Sequence, residues 1–96
     1  MARYMLSYDL HNITNTNIYT TVRNEIQNRF PTSLEILNTT YLIKSTDNLI
    51  TVNTAIKAIL DRNAGESNHE FYVVVVADGS GWLAPNKVNW ISQNFR

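Results

Sequence analysis

The spacing of apolar residues along the chain predicts four β-strands. At residues 4–10 apolar and other side chains alternate, which is the pattern of a strand with one apolar face. Residues 33–37 and 40–45 are two short β-prone runs separated by two residues, as in a hairpin. Residues 71–77 are seven consecutive apolar residues, including four valines, and they predict the last strand.

A different period, close to four residues, predicts two helices between these strands. The first covers residues 16–30, where apolar side chains recur on one stripe, and Pro31 ends it because the residue before a proline disfavours the helical conformation. The second covers residues 49–62, with polar side chains before it that can cap its start, and Gly65 beyond its end. Residues 85–95 predict a short helical segment at the C-terminus.

The resulting order, β-α-β-β-α-β, predicts one α+β domain over residues 1–96 with a ferredoxin-like fold. We expect a four-stranded antiparallel sheet with both helices on one face. The last strand is apolar on both faces, so its second face also needs a cover. The C-terminal segment with Trp82, Leu83 and Trp90 is one cover, and a second copy of the chain is the other, which predicts a homodimer. The alternative is a monomer in which the C-terminal segment covers the open face alone.

Charge and composition narrow the function classes. Eight basic residues balance eight acidic residues and no basic run occurs, so no general attraction to nucleic acid or anionic membrane is expected. The absence of cysteine excludes disulfides, zinc thiolates and thiol catalysis. The N-terminus lacks the apolar core of a signal peptide and no apolar run could span a membrane, so the predicted location is cytoplasmic.

Asp9 and His11 are the candidate site residues. An acidic side chain at a strand end can bind a metal or act as a base, and His11 points to the same side in an extended segment. The alternative interpretations are that Asp9 accepts hydrogen bonds from the following loop and that His11 is an exposed loop residue. His69 is expected in a loop with no partner. Two histidines cannot by themselves complete a zinc site.

The sequence YMLSYDL at residues 4–10 resembles the opening strand of the small CRISPR-associated protein numbered second in its series. That family has the same element order and a Tyr-Asp pair at the end of its first strand. The virulence-associated D ribonucleases resemble the same architecture more distantly. Short relatives of the CRISPR protein are similar in TYLIK at residues 40–44 and GSGWL at residues 79–83.

This resemblance implies a homodimer with Asp9 of each subunit near the two-fold axis, holding Mg²⁺ for endonuclease cleavage of nucleic acid. The chain departs from the family at residues 11–17, which contain no Lys or Arg where family members often have several. Our first hypothesis is therefore a non-catalytic dimeric module that interacts with nucleic acid or protein. The alternatives are a metal-dependent, ribonuclease-like endonuclease using Asp9 and His11, and a small-molecule-sensing domain.

Overall fold

A computed structural model describes all residues, 1–96, and has the predicted order of elements. The strands are β1 (Ala2–Leu10), β2 (Ser33–Leu37), β3 (Thr40–Ser45) and β4 (His69–Val75). The helices are α1 (Asn17–Arg29), α2 (Leu49–Ala64) and α3 (Pro85–Trp90). A 3₁₀ turn at Glu66–Asn68 precedes β4, and a π-helical turn at Ile91–Phe95 continues α3.

The four strands form one antiparallel sheet in the order β2-β3-β1-β4, which confirms the ferredoxin-like prediction. β1 is central, and its Leu6 lies between Tyr41 of β3 and Val73 of β4. β2 and β4 are the two edge strands. No helix of the chain is long and apolar enough to cross a membrane.

The main core lies between the sheet and the helices α1 and α2. Successive strand residues point to opposite faces, so β1 contributes every second residue to this core. The buried residues of the core are Tyr4, Leu6, Tyr8, Leu10, Val22, Ile26, Phe30, Tyr41, Ile43, Val52, Ile56, Ile59, Leu60 and Val73. This arrangement places the remaining residues of β1, including Asp9, on the opposite face of the sheet.

The C-terminal segment packs on that opposite face, over β2 and β3. Phe95 is buried against Ile36 and Leu42, with Trp90 beside it. The expectation that Trp90 helps to cover this face is confirmed. The same expectation for Trp82 is wrong: its side chain is 98% exposed, because the chain from Val76 to Ala84 forms no helix or strand that could hold it against the sheet.

The ends of α2 follow the predicted chemistry. The Asn48 side chain accepts a hydrogen bond of 2.8 Å from the backbone N–H of Thr51, which is a helix N-cap. Gly65 follows the helix with φ of +91°, a conformation that favours glycine.

β4 covers residues 69–75, so it begins and ends two residues before the predicted strand at residues 71–77. The prediction of His69 as a loop residue without a partner is wrong. His69 opens β4, its side chain is 5% exposed, and its Nε2 lies 2.6 Å from Oδ1 of Asp61. The cause is pairing across the sheet, because β1 provides strand partners as far as Leu10, which lies opposite His69.

Candidate functional site

Asp9 lies on the face of the sheet away from α1 and α2. Its neighbours Tyr8 and Leu10 are buried in the main core, so the Asp9 side chain is directed to the other face, where it is exposed. Glu70 of β4 lies directly opposite Asp9 in the register. No hydrogen bond or ion pair within the chain involves the Asp9 side chain, so the expected bonds from the following loop do not form.

His11 contacts Glu70 and not Asp9. The His11 backbone N–H donates a hydrogen bond of 2.8 Å to the Asn68 carbonyl, which continues the pairing of β1 with the chain before β4. The His11 Nε2 lies 3.9 Å from Oε2 of Glu70. Glu70 therefore joins the two residues predicted from the sequence. Glu70 was not predicted from the sequence because residues 66–69 before it have the composition of a polar loop. Only the register between β1 and β4 shows that Glu70 lies beside Asp9.

These side chains border a shallow depression of about 330 Å³ between β1 and β4. Its outer-face residues are Ser7, Asp9, Glu70 and Tyr72, and Met5 continues the same face along β1. We refer to these five residues as the uncovered face, because the C-terminal segment packs on β2 and β3 instead. The Tyr72 side chain is 74% exposed and Met5 is 38% exposed.

The uncovered face offers limited means of holding a metal ion. Asp9 and Glu70 supply carboxylate oxygens, the ligands that Mg²⁺ prefers, and they are the residues that would hold it. No group of three or more His, Asp or Glu side chains in the chain is arranged around a common point. One subunit thus presents two adjacent carboxylates, and further protein ligands would have to come from a second subunit.

The charges on this face do not favour phosphate. Asp9 and Glu70 form an acidic end, while Arg3 and Lys44 lie opposite each other on the neighbouring strands β1 and β3, about 20 Å away along β1. The Arg3 guanidinium is engaged in the fold, because it donates a hydrogen bond of 3.0 Å to the Ala77 carbonyl.

Most of the other basic side chains are also bound within the chain. The pairs are Arg23–Glu35, Arg29–Asp47, Lys57–Asp61 and Arg62–Glu25, and Lys87 donates to the Ile36 carbonyl. Ion pairs on a surface stay accessible to water and contribute little stability, but they leave few unpaired cations for a phosphate backbone.

Two groups of polar side chains lie away from the uncovered face. Hydrogen bonds from Lys57, and then from His69, lower the pKa of Asp61. Burial in the main core raises the pKa of Tyr8 to about 12 and also raises the pKa of Tyr41. The two tyrosine hydroxyls are buried, and within hydrogen-bond geometry neither has a partner. These groups belong to the internal packing of the domain and lie outside the candidate site.

A second depression, of about 460 Å³, lies on the surface between α1 and α2. Its charged rim includes Arg29, which pairs with Asp47, and Arg62, which pairs with Glu25. These charges are already paired within the chain, and the small-molecule-sensing hypothesis stays a prediction.

No family model matches this chain, and no curated protein is significantly similar to it. The resemblance to the small CRISPR-associated proteins, and the dimer and Mg²⁺ that it implies, therefore stay predictions.

Proposed function

We propose that the protein is a non-catalytic, cytoplasmic interaction module that forms a homodimer and binds a protein partner through the uncovered face. The observation that carries this proposal is the composition of that face. Exposed apolar surface on Tyr72 and Met5 lies beside the charged side chains of Asp9 and Glu70. An aromatic anchor with charged residues at its border is typical of protein–protein interfaces.

A protein partner suits this face better than nucleic acid. The acidic pair Asp9–Glu70 repels a phosphate backbone, and the chain as a whole carries no net charge. A sheet face that binds single-stranded RNA stacks several aromatic residues and surrounds them with basic residues. Here Tyr72 is the single aromatic residue of the uncovered face, and the tyrosines Tyr4, Tyr8 and Tyr41 are buried in the core.

The proposal is tested by partner capture with surface variants. Tyr72→Ser removes the aromatic anchor, and Ile50→Ser is a matched control because Ile50 is 77% exposed but lies on α2. We expect the wild type and Ile50→Ser to retain the same specific protein, and Tyr72→Ser to lose it. Retention of every captured protein by Tyr72→Ser would contradict the assignment of the uncovered face as the binding surface.

A metal-dependent endonuclease is the second candidate. The adjacent carboxylates of Asp9 and Glu70 favour it, because Mg²⁺ at a phosphate site is commonly held by one or two carboxylates, waters and substrate oxygens. The ion would polarise the phosphate and lower the pKa of a bound water. This candidate predicts cleavage that requires a divalent metal and is lost in Asp9→Asn, whereas the interaction module predicts an intact dimer without turnover.

A further inference from the structure

The outer edge of β4 presents unpaired main-chain groups. The Val76 backbone N–H donates a hydrogen bond of 2.8 Å to the Arg3 carbonyl, and the His11 backbone N–H donates one to the Asn68 carbonyl. The backbone N–H and C=O groups of the even-numbered residues in this segment therefore point toward β1. Because main-chain groups alternate in direction along an antiparallel strand, the N–H and C=O groups of Phe71, Val73 and Val75 point away from the sheet.

The two edges of the sheet differ in how they are protected. On β2 the register shifts between Glu35 and Leu37, and the Lys87 ammonium group donates to the Ile36 carbonyl. Irregular pairing and a covering side chain of this kind prevent another strand from adding. Residues 71–75 of β4 contain no proline, glycine or charge, and Val75 is 59% exposed. An edge strand without such protection is a template for a further strand.

We propose that β4 of a second copy of this chain pairs with β4, antiparallel, about a two-fold axis at Val73. This inference rests on the homodimer of the proposed function and assigns its interface to the sheet edge. Each chain would then contribute to one continuous eight-stranded sheet, joined by about six main-chain hydrogen bonds from Phe71, Val73 and Val75 of the two strands. These three residues have no other strand partner on that side.

The β4 sequence is complementary to itself in this register. Phe71 lies beside Val75 of the other copy on the helix face, and Tyr72 lies beside Val74 on the open face, so apolar side chains contact each other across the new strand pair on both faces of the sheet. Glu70 lies beside Val76. A register centred on Val74 would instead place Glu70 against Asp78, two acidic residues, which is unfavourable.

An edge-to-edge dimer separates the two Asp9 residues. Asp9 lies opposite Glu70, three residues from the axis at Val73, and β1 is one strand further from the axis than β4. From the strand spacing and the rise per residue, the two Asp9 side chains would be about 25 Å apart. One ion could not bridge them, and both uncovered faces would remain open on the same side of the sheet.

The test compares Val75→Pro with Val75→Thr by analytical ultracentrifugation of the full chain. Proline removes the outward N–H of Val75 without disturbing the pairing with β1, and edge strands tolerate proline at such positions. Threonine keeps the N–H and the branched shape. We expect Val75→Pro to raise the dimer dissociation constant about tenfold or more and Val75→Thr to keep about the wild-type value.

Amide hydrogen exchange of the wild-type chain tests the pairing of the two β4 edges without any variant. It therefore also applies if Val75→Pro fails to fold. The proposal predicts slow exchange at Phe71, Val73 and Val75 at dimer concentrations and fast exchange on dilution, while Tyr72 and Val74 stay slow throughout. Fast exchange at the three outward amides in a dimeric sample would overturn the edge interface but leave a dimer in place. A chain that stays monomeric at all concentrations would overturn the dimer itself. Because Tyr72 also lies beside Val74 of the other copy, the sedimentation of Tyr72→Ser is measured with its partner capture, and loss of capture by a variant that stays dimeric bears on the binding face alone.

Discussion

Phe95→Ala should detach the C-terminal segment without unfolding the domain. The Phe95 ring is 4% exposed, packs against Ile36 and Leu42, and lies 6.0 Å from the Arg3 guanidinium carbon. Burying such a ring contributes about 2–3 kcal/mol, and a buried Phe→Ala change costs about 3–5 kcal/mol because a cavity adds to the lost burial. The guanidinium contact adds about 0.5–1 kcal/mol.

This loss should act locally because Phe95 belongs to a separate, smaller core. Its cluster has three buried residues, whereas fourteen form the main core on the helix face. A loss of about 3–5 kcal/mol is large for a cluster of three buried residues, so we expect the segment to detach while the helix-side core stays folded. Ile36 and Leu42 would then join the uncovered face as additional apolar surface.

Limited proteolysis and binding of a hydrophobic dye test this prediction. Phe95→Ala should be cleaved faster between residues 77 and 95 and bind more dye, with a modest change in the main thermal transition. Phe95→Leu keeps an apolar side chain, costs about 1.5 kcal/mol, and is the control that should retain the segment. If Phe95→Ala shows wild-type cleavage and dye binding, or if the whole domain unfolds with the segment, the two-core description is wrong.

Three further predictions concern the stability of the fold. Asn48→Ala removes the N-cap of α2 and should lower the free energy of unfolding by about 1 kcal/mol in urea titrations, whereas Thr46→Ala, an exposed neighbour, should not. Because the pKa of Tyr8 is raised to about 12, its buried neutral hydroxyl should lower the free energy of unfolding by about 1.4 kcal/mol for each pH unit between pH 10 and about 12, with no loss below pH 10. Tyr8→Phe should therefore make the free energy of unfolding less dependent on pH in that range. An unchanged pH dependence would contradict the burial of the hydroxyl. The pKa of Asp61 is lowered, mainly by the hydrogen bond from Lys57, so the ionised carboxylate stabilises the folded chain above its unfolded pKa, and this stabilisation is lost as the pH falls below about 4. Asp61→Asn should therefore make the temperature of thermal unfolding less dependent on pH in acid. An equal dependence would refute the pairing of Asp61 with Lys57.

The order of elements was predictable because each strand and helix has its own spacing of apolar residues along the sequence. Alternation at residues 4–10 and the four-residue spacing in α1 each depend on neighbours in sequence, and these elements appear within two residues of their predicted bounds. The exposure of Asp9 follows from the same alternation, since Tyr8 and Leu10 are buried on either side. Local sequence therefore determined both the strand and the face on which the candidate residue lies.

Contacts between distant segments were not predictable in this way. Glu70 and His69 belong to a polar stretch, and only the register between β1 and β4 places them in a strand, opposite Asp9 and Leu10. The pairing of His69 with Asp61 depends on where α2 ends relative to that strand. The apolar character of Trp82 favoured its burial, but the segment around it forms no helix or strand, and Trp82 is exposed.

The most direct test of the central claim, that the protein is a dimer whose uncovered face does not cleave nucleic acid, is a nuclease assay. Labelled RNA and DNA would each be incubated with the purified protein in Mg²⁺, Mn²⁺ or EDTA, beside Asp9→Asn, with the dimer followed by light scattering in the same buffers. Our account predicts a dimer and no cleavage above that of the variant under any condition. Cleavage that requires the metal and disappears in Asp9→Asn, with the dimer intact, would contradict it and establish Asp9 as part of a nuclease site.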